Sequence, residues 1–104
     1  TFKEEIYMKY FVVEGILKDS DKINEDIMKE HMAYTQKAMD EGMILVSGLK
    51  SDMSGGIFVI KSESVEKLES YLSKEPFKLY GIQDYKFVEF NAHYFNPSPS
   101  EWFK

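Results

Sequence analysis

The sequence predicts an α+β fold in which a four-stranded antiparallel sheet carries two helices on one face. Three observations predict it. Segments rich in β-branched and aromatic residues alternate with two segments of helical apolar period, in the order strand, helix, strand, strand, helix, strand. The two middle strands are separated only by a stretch of turn formers, which makes them a hairpin. A length of 104 residues with 43% apolar and 30% charged side chains suits one globular domain and excludes wholesale disorder. The order is that of the ferredoxin-like βαββαβ arrangement.

The first strand is read over Met8–Leu17, with Tyr10, Val12 and Glu14 on one face and Phe11, Val13 and Gly15 on the other. Both faces are largely apolar, the pattern of a strand covered on both sides. A polar connection, Lys18 to Ile23, leads to Asn24, a good helix N-cap, with Glu25 and Asp26 in the first turn where the helix dipole favours negative charge. Ile27, His31, Tyr34, Thr35 and Ala38 then share one helix face, which Met28, Met32 and Met39 widen, and Gly42 stops the helix. Met43–Leu49 is the second strand, Lys50–Gly56 a turn, and Gly55–Lys61 the third strand. Ser62 or Ser64 caps the second helix, whose apolar positions are Val65, Leu68, Tyr71 and Leu72. Pro76 ends that helix near Lys74 or Glu75. Phe77–Gly81 reads as a short connector or a single helical turn, Asp84–Asn91 as the fourth strand, and residues 92–104 as a C-terminal aromatic tail. Residues 1–7 form an N-terminal extension, which leaves 8–91 as the domain.

The composition narrows the chemistry. The formal net charge of -5 opposes phosphate binding and predicts no nucleic-acid partner. With no Cys there are no disulfides, thiolate nucleophiles or cysteine-ligated metals, and two His, His31 and His93, are too few for a histidine-rich metal site. No apolar run is long enough to span a membrane and residues 1–7 lack the apolar core of a signal peptide, so no membrane partner and a cytoplasmic location are expected. A domain this small has no interior room for both a large cofactor and a substrate, so no cofactor is expected. Aromatics reach 15%, with eight Phe, seven Tyr and one Trp. A well-filled core uses some of them. The rest point to a subunit interface, since the sheet face away from the helices is also apolar: Tyr85 and Phe87 alternate with Val88 and Phe90 in the fourth strand. The expectation is a homodimer packed through the open sheet face, with Glu14 and Glu89 at its rim.

The opening Met8-Lys-Tyr-Phe-Val-Val, Glu30-His31 leading to Asp40-Glu41-Gly42, and Leu45-Val-Ser-Gly48 resemble the YciI-like (YCII-related) proteins. So do the Gly55-Gly56 hairpin, Glu75-Pro76-Phe77 and Tyr80-Gly81. The resemblance runs from Met8 to about Asn91. It implies a dimeric α+β barrel and an active site centred on a histidine and an aspartate. One branch of the family is linked to dehydrochlorination of a chlorinated aromatic ring.

By this resemblance His31 is the catalytic histidine, and imidazole is the side chain best suited to moving protons near neutral pH. Without the resemblance, a core or surface histidine satisfied by a backbone carbonyl is the alternative. Two acids compete as its partner. Asp40 lies nine residues on, a half turn around the helix and roughly 13 Å along it, so a straight helix points it away. Glu75 stands where many relatives carry Asp before Pro and reaches back from the connector, although its side chain is one methylene longer. Ser47 and Gly48 occupy the end of the second strand, where the hydroxyl is placed to bind either substrate or a neighbouring strand and the glycine to allow close approach. Tyr34, one turn after His31 on the same face, is a further candidate for the pocket wall, with core packing as the more frequent outcome for such a residue. His93 stands in no motif. Two functions follow. One is a small cofactor-free enzyme using His31 and Glu75 for isomerisation or elimination on a small, possibly aromatic molecule. The other is a non-catalytic dimer module that binds a small-molecule ligand.

Overall fold

A computed structural model describes residues 7–104, so residues 1–6 of the N-terminal extension lie outside the described residues. The strands are β1 (Lys9–Leu17), β2 (Ile44–Leu49), β3 (Gly56–Ser62) and β4 (Gln83–Phe90). They form one sheet in the order β2-β3-β1-β4, with every neighbouring pair antiparallel. The helices are α1 (Glu25–Asp40), α2 (Val65–Ser73), a single turn α3 (Pro76–Leu79) and a single turn α4 (Pro99–Trp102) within the tail. This is the ferredoxin-like plan read from the sequence.

Local chemistry sets the helix ends. The Asn24 side chain accepts the Ile27 N–H at 2.9 Å and starts α1. Of the two serines before α2, Ser64 is the cap, accepting the Lys67 N–H at 3.1 Å. Helix α2 ends at Ser73, and Pro76, which cannot continue it, instead opens α3. Of the two forms expected for this connector, the helical turn is the one present, and it starts one residue earlier, at Pro76.

One face of the sheet is covered by α1 and α2. Phe11 and Val13 of β1, Ile44 of β2 and Ile60 of β3 pack there against Ala38 of α1 and Leu68 and Leu72 of α2. Phe11 meets Phe87 edge to face at a centroid distance of 5.7 Å, a favourable ring geometry.

Strand β2 departs from simple alternation. Ile44 pairs with Ile60, but Val46 pairs with Val59 and Ser47 with Phe58, so one extra residue is inserted at Leu45. Directly paired residues share a face. Ile60 and Phe58 point toward the helices, so Ser47 does as well. Unbroken alternation from Ile44 would have sent Ser47 to the opposite face. The bulge turns its hydroxyl toward the helix side.

The other face is open in the single chain. Tyr10 and Val12 of β1, Ile57 of β3, and Val88 and Phe90 of β4 are exposed there, Val88 by 67%. Glu14 lies on this face, as expected, held by Lys50 at 2.9 Å and Lys86 at 3.2 Å. These two cations keep its carboxyl below the usual range. Glu89 does not lie there. It pairs with Phe11 and so projects on the helix side, beside Lys9 at the sheet margin. The tail passes along one end of the open face and, with Tyr10, Leu45 and Phe90, encloses an apolar cavity of about 600 Å³. Its own rings stay exposed, Tyr94 by 98% and Phe95 by 80%.

Asp84, at the start of β4, is clamped by Lys18 at the end of β1 (2.5 Å) and by Lys78 of α3 (2.7 Å). Those bonds lower its pKa to about 2. A carboxylate depressed by folding stabilises the native state above its unfolded pKa and loses that contribution as pH falls through the folded value. Thermal melts of wild type should therefore drop between about pH 4 and pH 2, and Asp84→Asn should show a smaller drop over that range. Asn24→Ala should cost about 1 kcal/mol in urea unfolding, through loss of the α1 cap.

Candidate active site

Helix α1 turns His31 inward on the face it shares with Ile27, Tyr34 and Ala38. Helix α3 begins opposite it. Its N-cap is Glu75, extended at φ -64° and ψ 132°, followed by Pro76 in the first helical position, where the missing N–H costs nothing. This places the Glu75 carboxylate beneath the imidazole. His31 Nδ1 lies 2.5 Å from Glu75 Oε1. The Phe77 ring stacks on the imidazole at a centroid distance of 3.8 Å and an angle of 4°. One short helical turn thus supplies both the acid that holds the histidine and the surface on which its ring lies.

Glu75 is only 3% exposed, and the oxygens of a buried carboxylate need hydrogen-bond partners. Oε2 accepts the Phe77 N–H at 3.0 Å and the Tyr85 hydroxyl at 2.6 Å. Tyr85 comes from β4, so the carboxylate joins α1, α3 and the sheet. The Tyr85 oxygen in turn accepts Gln83 Nε2 at 2.9 Å, and Gln83 Oε1 accepts the Gly56 N–H of β3 at 3.2 Å. Strand β1 lies between β4 and β3, so the Gln83 side chain crosses over β1 to reach Gly56. It crosses at Gly15, where a Cβ would overlap its amide group.

Burial and the nearby charge of Glu75 raise the pKa of Tyr85, and burial, Tyr34 and Glu75 do the same for Tyr71. Both phenols stay protonated, and that of Tyr85 serves as a donor to Glu75 rather than as a base. Nδ1 of His31 is committed to Glu75, so Nε2 is the ring nitrogen left for chemistry on a bound molecule.

A pocket of about 540 Å³ opens beside this pair, lined by His31, Glu75 and Tyr85 together with Ser47, Gly48 and Phe58. The volume suits a small molecule. Four methionines, Met28, Met32, Met39 and Met53, form much of its remaining wall, an adaptable apolar surface. Among the described residues, no Lys or Arg lines it. Among the described residues, no three His, Asp or Glu side chains cluster in a way that could hold a metal ion.

The structure thus brings His31, Glu75, Ser47 and Gly48 to one pocket. A side chain at Gly48 would meet only open space, so this glycine leaves room rather than admitting a neighbouring backbone. Tyr34 is elsewhere. Its hydroxyl donates to the Tyr71 carbonyl at 2.6 Å, its ring lies 4.7 Å from that of Tyr71, and it borders a separate shallow depression with Pro76 and Tyr80. Asp40 is exposed and accepts Gln36 Nε2 at 2.8 Å, one turn back on its own helix. Phe77, Tyr85 and Gln83 escaped the sequence reading. The signal for the last two was present: Gln83 and Tyr85 are two apart in a strand and so share a face, and an amide on the face that packs against helices needs a polar partner.

Comparison with known proteins agrees with this architecture. No match was found among curated proteins. Among solved structures, the chain is similar to 5-chloro-2-hydroxyhydroquinone dehydrochlorinase from Burkholderia phenoliruptrix AC1100, determined in complex with 2,5-dihydroxybenzoquinone. The TM-score is 0.64 at 19% identity, covering 81% of this chain and 93% of that one. It is similar also to a structural-genomics protein, YJCS, with a TM-score of 0.55 at 16% identity over 84% of this chain and 100% of that one. PA3566 from Pseudomonas aeruginosa gives a TM-score of 0.51 at 14% identity, over 88% and 100% respectively. At such identities the likeness concerns the fold. The model of the YCII-related domain, by contrast, matches the sequence itself over residues 8–91, and the chain belongs to that family.

Proposed function

We propose that this protein is a small, cofactor-free enzyme in which His31 and Glu75 transfer a proton on a small, aromatic or enolisable molecule, in an isomerisation or an elimination. The observation that carries this reading is the 2.5 Å pairing of His31 Nδ1 with a buried carboxylate at the wall of a largely apolar pocket. The paired nitrogen is held, and Nε2 acts as the base. It takes a proton from a substrate C–H or O–H, and Glu75 stabilises the imidazolium that forms. In an isomerisation the same nitrogen returns the proton to another substrate atom. In an elimination the electron pair released by proton removal forms a double bond, and the leaving group departs with its own bonding pair. Ser47 donates a hydrogen bond to a substrate oxygen, and Gly48 leaves the space the ring occupies. Tyr34 supports the wall through Tyr71 instead of touching the ligand.

The proposed working unit is a homodimer packed through the open sheet face, which covers Val12, Val88 and Phe90. The acidic, cysteine-free composition suits the cytoplasm. Among the described residues no helix is long and apolar enough to cross a membrane.

The test uses the molecules named for the Burkholderia protein as probes. Binding of 2,5-dihydroxybenzoquinone and turnover of 5-chloro-2-hydroxyhydroquinone are measured for wild type, His31→Asn and Glu75→Gln. His31→Asn should lower kcat/KM by at least about 100-fold, the usual worth of a general base. Glu75→Gln should lower kcat more than it changes KM. Binding without turnover, at equal affinity in wild type and His31→Asn, favours the binding-module reading instead. For the assembly, light scattering at micromolar concentration should give the mass of a dimer and Val88→Lys that of a monomer. A monomeric wild type rules the interface out.

A further inference from the structure

We infer that Tyr85 and Gln83 are positioning residues that fix His31 in one tautomer, with the proton on Nδ1 and a bare Nε2. The argument starts from a group whose role is not adjustable. A backbone N–H donates and never accepts. The Gly56 N–H meets Gln83, so the atom it meets is the amide oxygen. That orients the amide, and its NH₂ group faces the Tyr85 oxygen and donates to it. A phenol has a single proton, and an amide nitrogen is no acceptor. The Tyr85 proton therefore points to Glu75 Oε2, 2.6 Å away. Oε2 also receives the Phe77 N–H, a second backbone donor. Two donors on one carboxylate oxygen leave that oxygen no place for a proton of its own. The proton between Oε1 and His31 then belongs to the imidazole, on Nδ1.

The donors thus converge on Glu75, from β3 by way of Gln83 and Tyr85 on one side and from the imidazole of α1 on the other, with backbone amides fixing the direction at Gly56 and Phe77. The stacked Phe77 ring and the buried carboxylate hold the imidazole plane. The consequence for catalysis, a lone pair on Nε2 ready to accept a proton, rests on the proton-transfer reading above. The tautomer itself does not, and it is measurable with no substrate.

The experiment records the ¹⁵N resonances of the imidazole in the full chain in mildly alkaline buffer, with His93, exposed in the tail, as the solvated reference. A charge-assisted hydrogen bond at Nδ1 should favour the Nδ1–H form of His31 over the Nε2–H form by at least about tenfold. Tyr85→Phe removes the donor to Oε2. Gln83→Glu keeps the shape but gives Tyr85 an acceptor that competes for its proton. Each should lower the tautomer ratio several-fold. A wild-type majority of Nε2–H overturns the inference. So does a ratio unmoved by Gln83→Glu, which with the wild-type spectrum decides the matter even if Tyr85→Phe does not fold. An intact Nδ1–H tautomer in a protein that turns over none of the probes overturns the catalytic reading and leaves the positioning role standing.

Discussion

The buried carboxylate of Glu75 is the constraint around which the rest of the site is arranged. A carboxylate almost wholly removed from water is tolerated only when both of its oxygens are met by hydrogen-bond partners. Here the partners come from three separate elements: the imidazole of α1, the backbone of α3 and the phenol of β4. No one of these elements could satisfy the carboxylate alone. The α3 turn is too short to be stable by itself, and it is held in place by Glu75 and Pro76 at its start and by the Lys78–Asp84 pair at its side. The same requirement that stabilises the connector therefore orients the histidine.

Most of the architecture was legible because it rests on local signals. Asn24 and Ser64 cap their helices through side-chain oxygens, and the apolar periods of α1 and α2 pick out the faces that carry Ala38, Leu68 and Leu72 into the core. The pairing of His31 with Glu75 was legible only in part. The resemblance placed Glu75 near the histidine, and helix geometry argued against Asp40, but 44 residues separate the two partners and no local rule joins them. Tyr34 shows the limit of helical period as a guide. It shares the inward face with His31, yet a neighbouring tyrosine on α2 offers its hydroxyl a carbonyl first. Ser47 shows the converse. It reaches the pocket through a bulge that no alternation pattern predicts, since the pattern assumes that the register is unbroken. Glu89 was assigned to the wrong face, though its parity with Tyr85 and Phe87 already gave the answer.

The two faces of the sheet are built for different tasks. The helix side closes over a core and leaves one pocket where the apolar cover gives way to histidine, serine and glutamate. The open side keeps its rings and β-branched residues in water, with Glu14 pinned between two lysines at its middle. Exposed apolar surface of that kind is expensive in a free monomer. The surplus of aromatic residues in the composition is divided between these faces and the tail. Phe11, Phe77 and Tyr85 serve the interior, while Tyr10, Phe90 and the tail rings lie at the surface.

The passage of Gln83 over Gly15 ties together three strands that could otherwise drift independently in sequence. A methyl group on β1 at that point would displace the amide, and a residue shorter than glutamine at position 83 could not span β1 to Gly56. Next to it, Gly55 is seated directly against the Gly15 carbonyl, at a φ of 149° that side chains disfavour. Neither position can be exchanged while its partner stays. A side chain at Gly15 takes the seat of the Gln83 amide and, with it, the support of Tyr85 beneath the carboxylate that holds the histidine.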